Sequence, residues 1–269
     1  MKLPRILVAA PASGHGKTTL ATGLMAALAR RGLAVSGHKV GPDYIDPGYH
    51  ALATGRPGRN LDPHLVGESL VVPLLQHGSR GADVAVVEGA MGLFDGQIGG
   101  AGFASTAHIA TLTRTPVVLV VDISHASRSI GAVVHGMRTF QPGLTIAGVV
   151  LNKAGSPRHA AEAATAVEAM GVPVLGILHR DDHVSAPSRH LGLVPATERA
   201  QAAAALESLA ERVAEHVDLD AVLELADGAP DLDAQPWNPA AHVRPATNDS
   251  PVVAVAAGRV FTFRYAETT

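Results

Sequence analysis

A glycine-rich loop between a strand-like and a helix-like stretch constrains this chain most. The apolar run Ile6 to Ala10 leads into Pro11-Ala12-Ser13-Gly14-His15-Gly16-Lys17-Thr18-Thr19, and a stretch of helical composition covers Thr18 to Arg31. That context is the one a phosphate-binding P-loop requires. Gly14 and Gly16 let the backbone N–H groups and the helix N-terminus face phosphate oxygens. The loop is therefore predicted to hold a nucleoside triphosphate.

Each residue from 13 to 19 is assigned to this nucleotide site. The predicted ATP-binding residues are Ser13, Gly14, His15, Gly16, Lys17, Thr18 and Thr19. Lys17 supplies a mobile cation and Thr18 a hydroxyl for Mg²⁺, whereas the ring of His15 is expected only to fill space. Pro11 stands where a P-loop usually has its first glycine. The backbone must therefore bend differently at the start of this loop.

Strand-like and helix-like stretches alternate beyond the loop, which predicts an α/β fold. The expected strands are Ile6 to Ala10, Ala34 to Lys39, Val84 to Glu88, Val117 to Asp122, Ile146 to Leu151 and Val174 to Leu178, and further helices are expected over Ser127 to Phe140, Arg158 to Met170 and Glu198 to Glu224. This alternation predicts a P-loop NTPase-type, mostly parallel sheet with helices on both faces. Residues 1–228 are expected to form that domain, and the Pro- and Asp-rich residues 229–251 a linker.

Composition excludes several classes of function. The chain has 269 residues, a net charge of −3 and no cysteine. Scattered basic residues argue against a nucleic-acid partner, and the lack of cysteine excludes disulfides and thiolate sites within these residues. No apolar run is long enough to cross a bilayer, so no membrane partner and a cytoplasmic location are expected. The oligomeric state is left open, a homodimer included.

A second motif follows the second strand. Lys39-Val40-Gly41-Pro42-Asp43-Tyr44-Ile45-Asp46-Pro47 lies at the carboxyl edge of the sheet, where ligands collect in open α/β folds. Lys39 is expected to neutralise a transferring phosphoryl group, and Asp43 and Asp46 to hold metal or orient a substrate carboxylate. For Asp46 a purely structural role in an Asp-Pro turn stays open.

A third motif carries two further carboxylates. Glu88 ends an apolar strand and Asp95 follows in a glycine-rich loop, within Glu88-Gly89-Ala90-Met91-Gly92-Leu93-Phe94-Asp95-Gly96. A carboxylate at a strand end beside a P-loop can complete a Mg²⁺ shell, so the predicted metal ligands are Thr18, Asp43 and Glu88. The glycines that follow suit a mobile lid.

Asparagine and histidine residues give weaker signals. Asn152 ends the fifth strand and is predicted to contact the purine of the nucleotide, because its amide both donates and accepts. The histidines considered as metal ligands lack a metal-binding spacing: His108, His125, His135, His159 and His190.

The three motifs together resemble cobyrinic acid a,c-diamide synthase, a family that also includes hydrogenobyrinic acid a,c-diamide synthases. The resemblance runs from about Ile6 to Thr269. Val252 to Ala256 is a strand-like run, and residues 252–269 resemble the start of that family's class I glutamine amidotransferase domain with its opening strand. It implies an ATP- and Mg²⁺-dependent ligase of cobalamin biosynthesis with a fold like that of dethiobiotin synthetase. Such an enzyme amidates the a and c carboxylates of a corrin through an acyl phosphate, with ammonia from glutamine.

The resemblance also assigns roles to residues. Lys17 and Lys39 would neutralise the γ-phosphate and Thr18 and Glu88 would hold Mg²⁺, while Asp43, Tyr44, Asp46 and Asp95 would shape the site for the corrin carboxylate and ammonia. The family's glutaminase uses a cysteine nucleophile, which these residues lack. Activity with ammonia but not with glutamine is therefore expected.

Other functions remain as alternatives. Amidation of another tetrapyrrole, such as nickel-sirohydrochlorin, would use the same chemistry, and a tetrapyrrole-binding module would not consume ATP. A positioning ATPase of the septum-site or plasmid-partition kind shares the P-loop and sheet. Those ATPases carry an additional lysine early in the loop, where this chain has Ala12.

Overall fold

The computed structural model describes residues 2–180, 199–243, 252, 254–256 and 264–268. Its seven strands are β1 Arg5–Ala9, β2 Val35–Val40, β3 Arg59–Leu61, β4 Val84–Glu88, β5 Val117–Asp122, β6 Ile146–Ala154 and β7 Val174–His179. They form one sheet in the order β3-β2-β4-β1-β5-β6-β7, and every neighbouring pair is parallel. The predicted parallel α/β fold is confirmed.

Helices follow most of the strands. They are α1 Lys17–Arg30, α2 Asp46–Thr54, α3 Pro63–Val66, α4 Glu68–Gly78, α5 Thr106–Leu112, α6 Ser129–Thr139, α7 Pro157–Glu168, α8 Arg199–His216, α9 Leu219–Asp227 and α10 Pro239–His242. One buried cluster joins α1, α8 and α9 to one face of the sheet, and a second joins α4, α5, α6 and α7 to the other. Because both faces are covered, strands such as β1 and β4 are buried along their whole length.

Two features of the elements were not predicted. The third strand, β3, was not predicted because Arg59-Asn60-Leu61 lacks a β-branched run, and it forms by pairing with β2 at His38 to Val40. The tract from Glu198 to Glu224 is helical in its described residues, as predicted, and it is divided into the two helices α8 and α9. Asp218 separates them, since its carboxylate accepts from the N–H groups of Asp220 and Ala221 at the start of α9.

The residues predicted as a linker contact the domain in the part that is described. Pro230 O accepts from the Arg5 side chain at 2.6 Å, Leu232 is buried, and Trp237 N donates to Pro73 O at 2.9 Å. The boundary at residue 228 stays a prediction. Within the described residues, no helix has both the length and the apolarity needed to cross a membrane.

The strand expected at residues 252–256 is absent where it can be described. Residues 252 and 254–256 have no strand assignment, and Val252 is fully exposed. A strand needs a neighbour for its backbone hydrogen bonds, and no strand within the described ranges pairs with these residues. Farther on, a 3-10 helix spans Ala266–Thr268, and Tyr265 stacks on Tyr44 with ring centroids 4.6 Å apart.

Candidate active site

The P-loop joins β1 to α1 in a shape that needs glycine. Gly14 and Gly16 have φ angles of 85° and 100°, in the left-handed region that side chains disfavour. A Cβ on Gly16 would lie 2.2 Å from Nδ2 of Asn152. Gly16 is also the N-cap of α1 and makes no side-chain capping bond, so the first N–H groups of the helix remain available to an anion.

Lys17 lies against this loop. Its Nζ donates to Ala12 O at 3.1 Å, and burial, followed by the charge of Lys39, lowers its pKa. Thr18 points to the neighbouring strand, since its hydroxyl donates to Oε1 of Glu88 at 2.5 Å. Two loop residues predicted from sequence are therefore held beside Glu88, the carboxylate predicted to bind Mg²⁺.

Glu88 and Lys39 form the centre of a buried charged cluster. The two residues are direct neighbours in the β2–β4 register, and Lys39 Nζ donates to Glu88 Oε1 at 2.8 Å. Neither is appreciably exposed, at 0% for Glu88 and 5% for Lys39. Burial alone would raise the pKa of Glu88, but Lys39 and His50 outweigh it and hold the pKa well below its usual range. The carboxylate is therefore ionised throughout the physiological pH range.

Asp46 is the second acid of this cluster. Its Oδ2 lies 2.6 Å from Lys39 Nζ, an ion pair that is largely shielded from solvent. Burial and the nearby charge of Glu88 raise the pKa of Asp46 to about 6. Two carboxylates thus share one lysine, and a further cation would relieve their repulsion.

Asp43 and Tyr44 lie on the loop before α2. Oδ1 of Asp43 accepts from the N–H groups of Ile45 and Asp46 at 2.6 and 3.0 Å, which fixes the start of α2. Asn60 supports the same loop by donating to the carbonyls of Gly41 and Asp43. Tyr44 is 43% exposed and stacks on Tyr265. The structure thus brings Asp46, rather than Asp43, to Lys39 and Glu88, and the roles of Asp43 and Tyr44 stay predictions.

Asp95 lies in the loop after β4, next to the P-loop. Its Oδ2 accepts from Gly92 N at 3.0 Å, and the adjacent Leu93 N donates to Ala10 O at 2.8 Å. A Cβ on Gly92 would lie 2.4 Å from Asp95 Oδ2 and 2.6 Å from Pro11 O. The two loops are therefore in close contact, and the charge of Asp95 acts on Lys17. Its catalytic role stays a prediction.

Sequence analysis missed His50. This residue lies on α2, is fully buried, and places Nε2 2.7 Å from Glu88 Oε2. In the sequence, His50 shows no metal-ligand spacing to indicate a role. The signal that indicates it is its position four residues after Asp46, which puts both side chains on one face of a helix.

Asn152 and His15 connect the P-loop to β5 and β6. Asn152 Nδ2 donates to His15 O at 2.8 Å, and its Oδ1 accepts from Lys153 N. His15 is more than a space-filling residue, because its Nδ1 accepts from Asp122 N at 2.9 Å. Lys153 Nζ bonds both Gly14 O and Asp122 Oδ2. These contacts brace the loop, and the proposed purine contact of Asn152 stays a prediction.

A cavity adjoins the loop on the β5 side. It has a volume of about 370 Å³ and is lined by loop residues 13–15 together with Asp122, Ser124 and His125. Over the ranges that the structure describes, no three His, Asp or Glu side chains are grouped to hold a metal ion. A magnesium ion at Thr18 and Glu88 would therefore need phosphate or water oxygens as well.

Comparison with known proteins decides the family. Residues 6–194 match the CobQ/CobB/MinD/ParA nucleotide binding domain. The chain belongs to this family. Its fold is accordingly a nucleotide-binding one, and the P-loop and β4 described above lie within the matched residues.

Relatives with a named activity match nearly all of the chain. A Thermobifida fusca protein named hydrogenobyrinate a,c-diamide synthase is 63% identical over 98% of this chain and 58% of its own length. The Streptomyces coelicolor protein of the same name is 52% identical over 99% of this chain and 61% of its own. A Dehalococcoides mccartyi cobyrinate a,c-diamide synthase is 42% identical over 98% and 57%. The chain spans somewhat more than half the length of these relatives.

Proposed function

We propose that this chain is the ATP-binding amidoligase part of a hydrogenobyrinate a,c-diamide synthase. In this role it converts carboxylates of a corrin to amides in cobalamin biosynthesis, with ATP and Mg²⁺. The observation that carries the proposal is the buried Lys39–Glu88–Asp46 cluster beside the P-loop. Such an arrangement suits the transfer of a phosphoryl group to a carboxylate, which depends mainly on positioning and charge compensation.

The residues at the loop suit a magnesium ion. The hydroxyl of Thr18 and the ionised carboxylate of Glu88 are hard oxygen donors that lie 2.5 Å apart, and Asp46 adds a carboxylate 2.6 Å from Lys39. Burial and the charge of Glu88 raise the pKa of Asp46, so a further cation at the cluster would favour the ionised form of this carboxylate. Bound with nucleotide, Mg²⁺ would supply charge neutralisation between the phosphates. Asp43 is retained as a further candidate ligand.

The chemistry proceeds in two steps. A corrin carboxylate oxygen attacks the γ-phosphorus of ATP, so that the bond to ADP breaks and an acyl phosphate forms. Ammonia then attacks the acyl carbon, and phosphate leaves with the oxygen that the carboxylate contributed. Lys17 and Lys39 compensate the charge on the transferring group, while Asp43, Tyr44, Asp46 and Asp95 border the acceptor carboxylate and the ammonia.

The relatives support a corrin substrate without cobalt. Identity is 63% and 52% to the two proteins named for hydrogenobyrinate, against 42% for the one named for cobyrinate. Ammonia is the proposed nitrogen donor for these residues, because they contain no cysteine to hydrolyse glutamine. Residues 252–269 are proposed to begin a glutaminase domain.

Mass spectrometry of the corrin tests the proposal. Chain, ATP, Mg²⁺ and ammonium are incubated with hydrogenobyrinic acid, and in parallel with cobyrinic acid or nickel-sirohydrochlorin. We expect the diamide of hydrogenobyrinic acid, with ADP formed in proportion, and no product when glutamine replaces ammonium or when Lys17→Ala replaces the wild type. Folded, ATP-binding protein that amidates none of the three macrocycles would refute the proposal. Product from nickel-sirohydrochlorin alone would favour that alternative.

A further inference from the structure

His50 is a fully buried histidine whose ring contacts the carboxylate of Glu88. Its Nε2 lies 2.7 Å from Glu88 Oε2, and both side chains have no exposed area. Because a carboxylate oxygen only accepts, Nε2 must carry the hydrogen of this bond. His50 is therefore a donor to Glu88, through the carboxylate oxygen that Thr18 does not contact.

The two oxygens of Glu88 are divided between different partners. Oε1 accepts from Thr18 and Lys39, whereas Oε2 accepts from His50. This division fixes the rotation of the carboxylate, since turning it would exchange the two sets of partners. Removing the donor on Oε2 would leave a buried charged oxygen unsatisfied and the carboxylate without that restraint.

Packing holds the His50 ring in place. A Cβ on Gly37 would lie only 2.7 Å from Cβ of His50, so the glycine on β2 provides the room for this side chain. Nδ1 of His50 is buried and makes no hydrogen bond with any described residue. Among the described residues, the hydrogen bond of this ring is therefore made to Glu88 alone. A histidine that served only to fill the core would not need this bond.

We propose that His50 is a positioning residue that orients Glu88 toward Thr18 and so sets the affinity for Mg²⁺ bound with nucleotide. The inference rests on the proposed function only in its choice of Mg²⁺–nucleotide as the ligand. His50 would not bind the metal itself but would hydrogen-bond Glu88, a proposed metal ligand. Replacing such a hydrogen-bond partner changes the affinity for the metal.

Two variants of His50 differ only in reach. In His50→Gln the amide nitrogen extends to where Nε2 lies and can still donate to Glu88, whereas in His50→Asn it ends near the position of Nδ1. His38→Gln is the matched control, because His38 is also fully buried but bonds Ser36 and Ser79. Mn²⁺ serves as the probe, with ATP affinity measured with Mn²⁺ and with EDTA.

We expect His50→Asn to weaken Mn²⁺ binding in the presence of ATP by about 10- to 100-fold. His50→Gln and His38→Gln should remain close to wild type, and ATP affinity in EDTA should be the same in all four proteins. Wild-type Mn²⁺ affinity in folded His50→Asn would overturn the inference, as would a loss in folded His50→Gln that equals the loss in His50→Asn. Should His50→Asn not fold, a loss of Mn²⁺ affinity of about tenfold or more in folded His50→Gln would overturn the inference.

This test is independent of amidation, since no corrin is present. A chain that amidates no macrocycle but shows the expected order of Mn²⁺ affinities would contradict the proposed function and support the role of His50. Amidation by the wild type together with unchanged Mn²⁺ binding in His50→Asn would do the reverse.

Discussion

Single residues of the site were predictable from sequence where a motif fixes them. Lys17, Thr18 and Glu88 lie where the strand-loop-helix pattern and the end of an apolar strand placed them. The partners of Glu88 were harder to predict, because the pairing of β2 with β4 brings Lys39, and through α2 Asp46 and His50, from a distant part of the sequence. Which acid of the second motif contacts Lys39 depends on where α2 starts, and there Asp43 accepts hydrogen bonds from the N–H groups of Ile45 and Asp46.

Removing Lys39 should destabilise the fold. In Lys39→Met, Glu88 and Asp46 would lose their shared cation in a buried site. We expect about 3–5 kcal/mol less stability, as for other broken buried ion pairs. Urea unfolding at pH 7.5 measures it. The double variant Lys39→Met/Asp46→Asn should recover part of the loss, and equal stability of Lys39→Met and wild type would argue against a buried pair.

His38 should make the protein sensitive to acid. Burial, and then the positive charge of Arg59, lower the pKa of His38 to about 3. The unfolded chain, with a histidine pKa near 6.5, therefore binds a proton that the folded chain does not, and stability falls as the pH drops from about 6.5 toward 3. The slope that this residue contributes is about 1.4 kcal/mol per pH unit. His38→Gln should lose stability less steeply between pH 6.5 and 5, and an unchanged slope in urea titrations would show that His38 protonates in the folded state.

At the scale of elements, strongly patterned strands were predictable and context-dependent ones were not. The strands β4 and β5 have the predicted limits because each is a continuous apolar run. The short strand β3 forms through its neighbour β2, and the division between α8 and α9 depends on one capping aspartate. The P-loop was predicted from its glycines, and the structure adds that Asn152 packs against one of them.

Gly16→Ala should damage the loop through that contact. The φ of Gly16 is 100°, and its Cβ would meet Asn152 Nδ2 at 2.2 Å. A left-handed conformation alone costs an alanine about 1–2 kcal/mol. We expect ATP affinity to fall by about tenfold or more. Gly155→Ala is the control, since a Cβ there meets nothing within 4 Å. Isothermal titration with ATP compares them, and equal affinity of Gly16→Ala and wild type would mean that the loop adopts another conformation.

For the whole molecule, the class of fold followed from the alternation of strands and helices, whereas contacts distant in sequence did not. Arg5, at the start of β1, is fully buried and donates to the carbonyls of Leu3, Thr113 and Pro230. Burial lowers its pKa to about 10, so the side chain remains charged at neutral pH. In the sequence, Arg5 only precedes an apolar run, and that position did not indicate a buried side chain that bonds distant carbonyls. Arg5 ties the residues after α9 to the amino-terminal end of the central strand β1.

Arg5→Met should test how far those residues stabilise the domain. Several buried carbonyls would lose their donor, and a loss of about 3 kcal/mol is expected. Lys2→Met is the control, because its ion pair with Asp227 is exposed and contributes about 0–1 kcal/mol. Thermal unfolding compares the two. Equal effects of the two substitutions would contradict a structural role of the buried guanidinium.

The central claim is that ATP activates a corrin carboxylate at the P-loop. Hydrogenobyrinic acid labelled with ¹⁸O in its carboxylates, incubated with the chain, ATP, Mg²⁺ and ammonium, tests it most directly. The account predicts that each amide formed releases one phosphate carrying one ¹⁸O from the carboxylate, as mass spectrometry of the phosphate would record. Amide formation with unlabelled phosphate would contradict it.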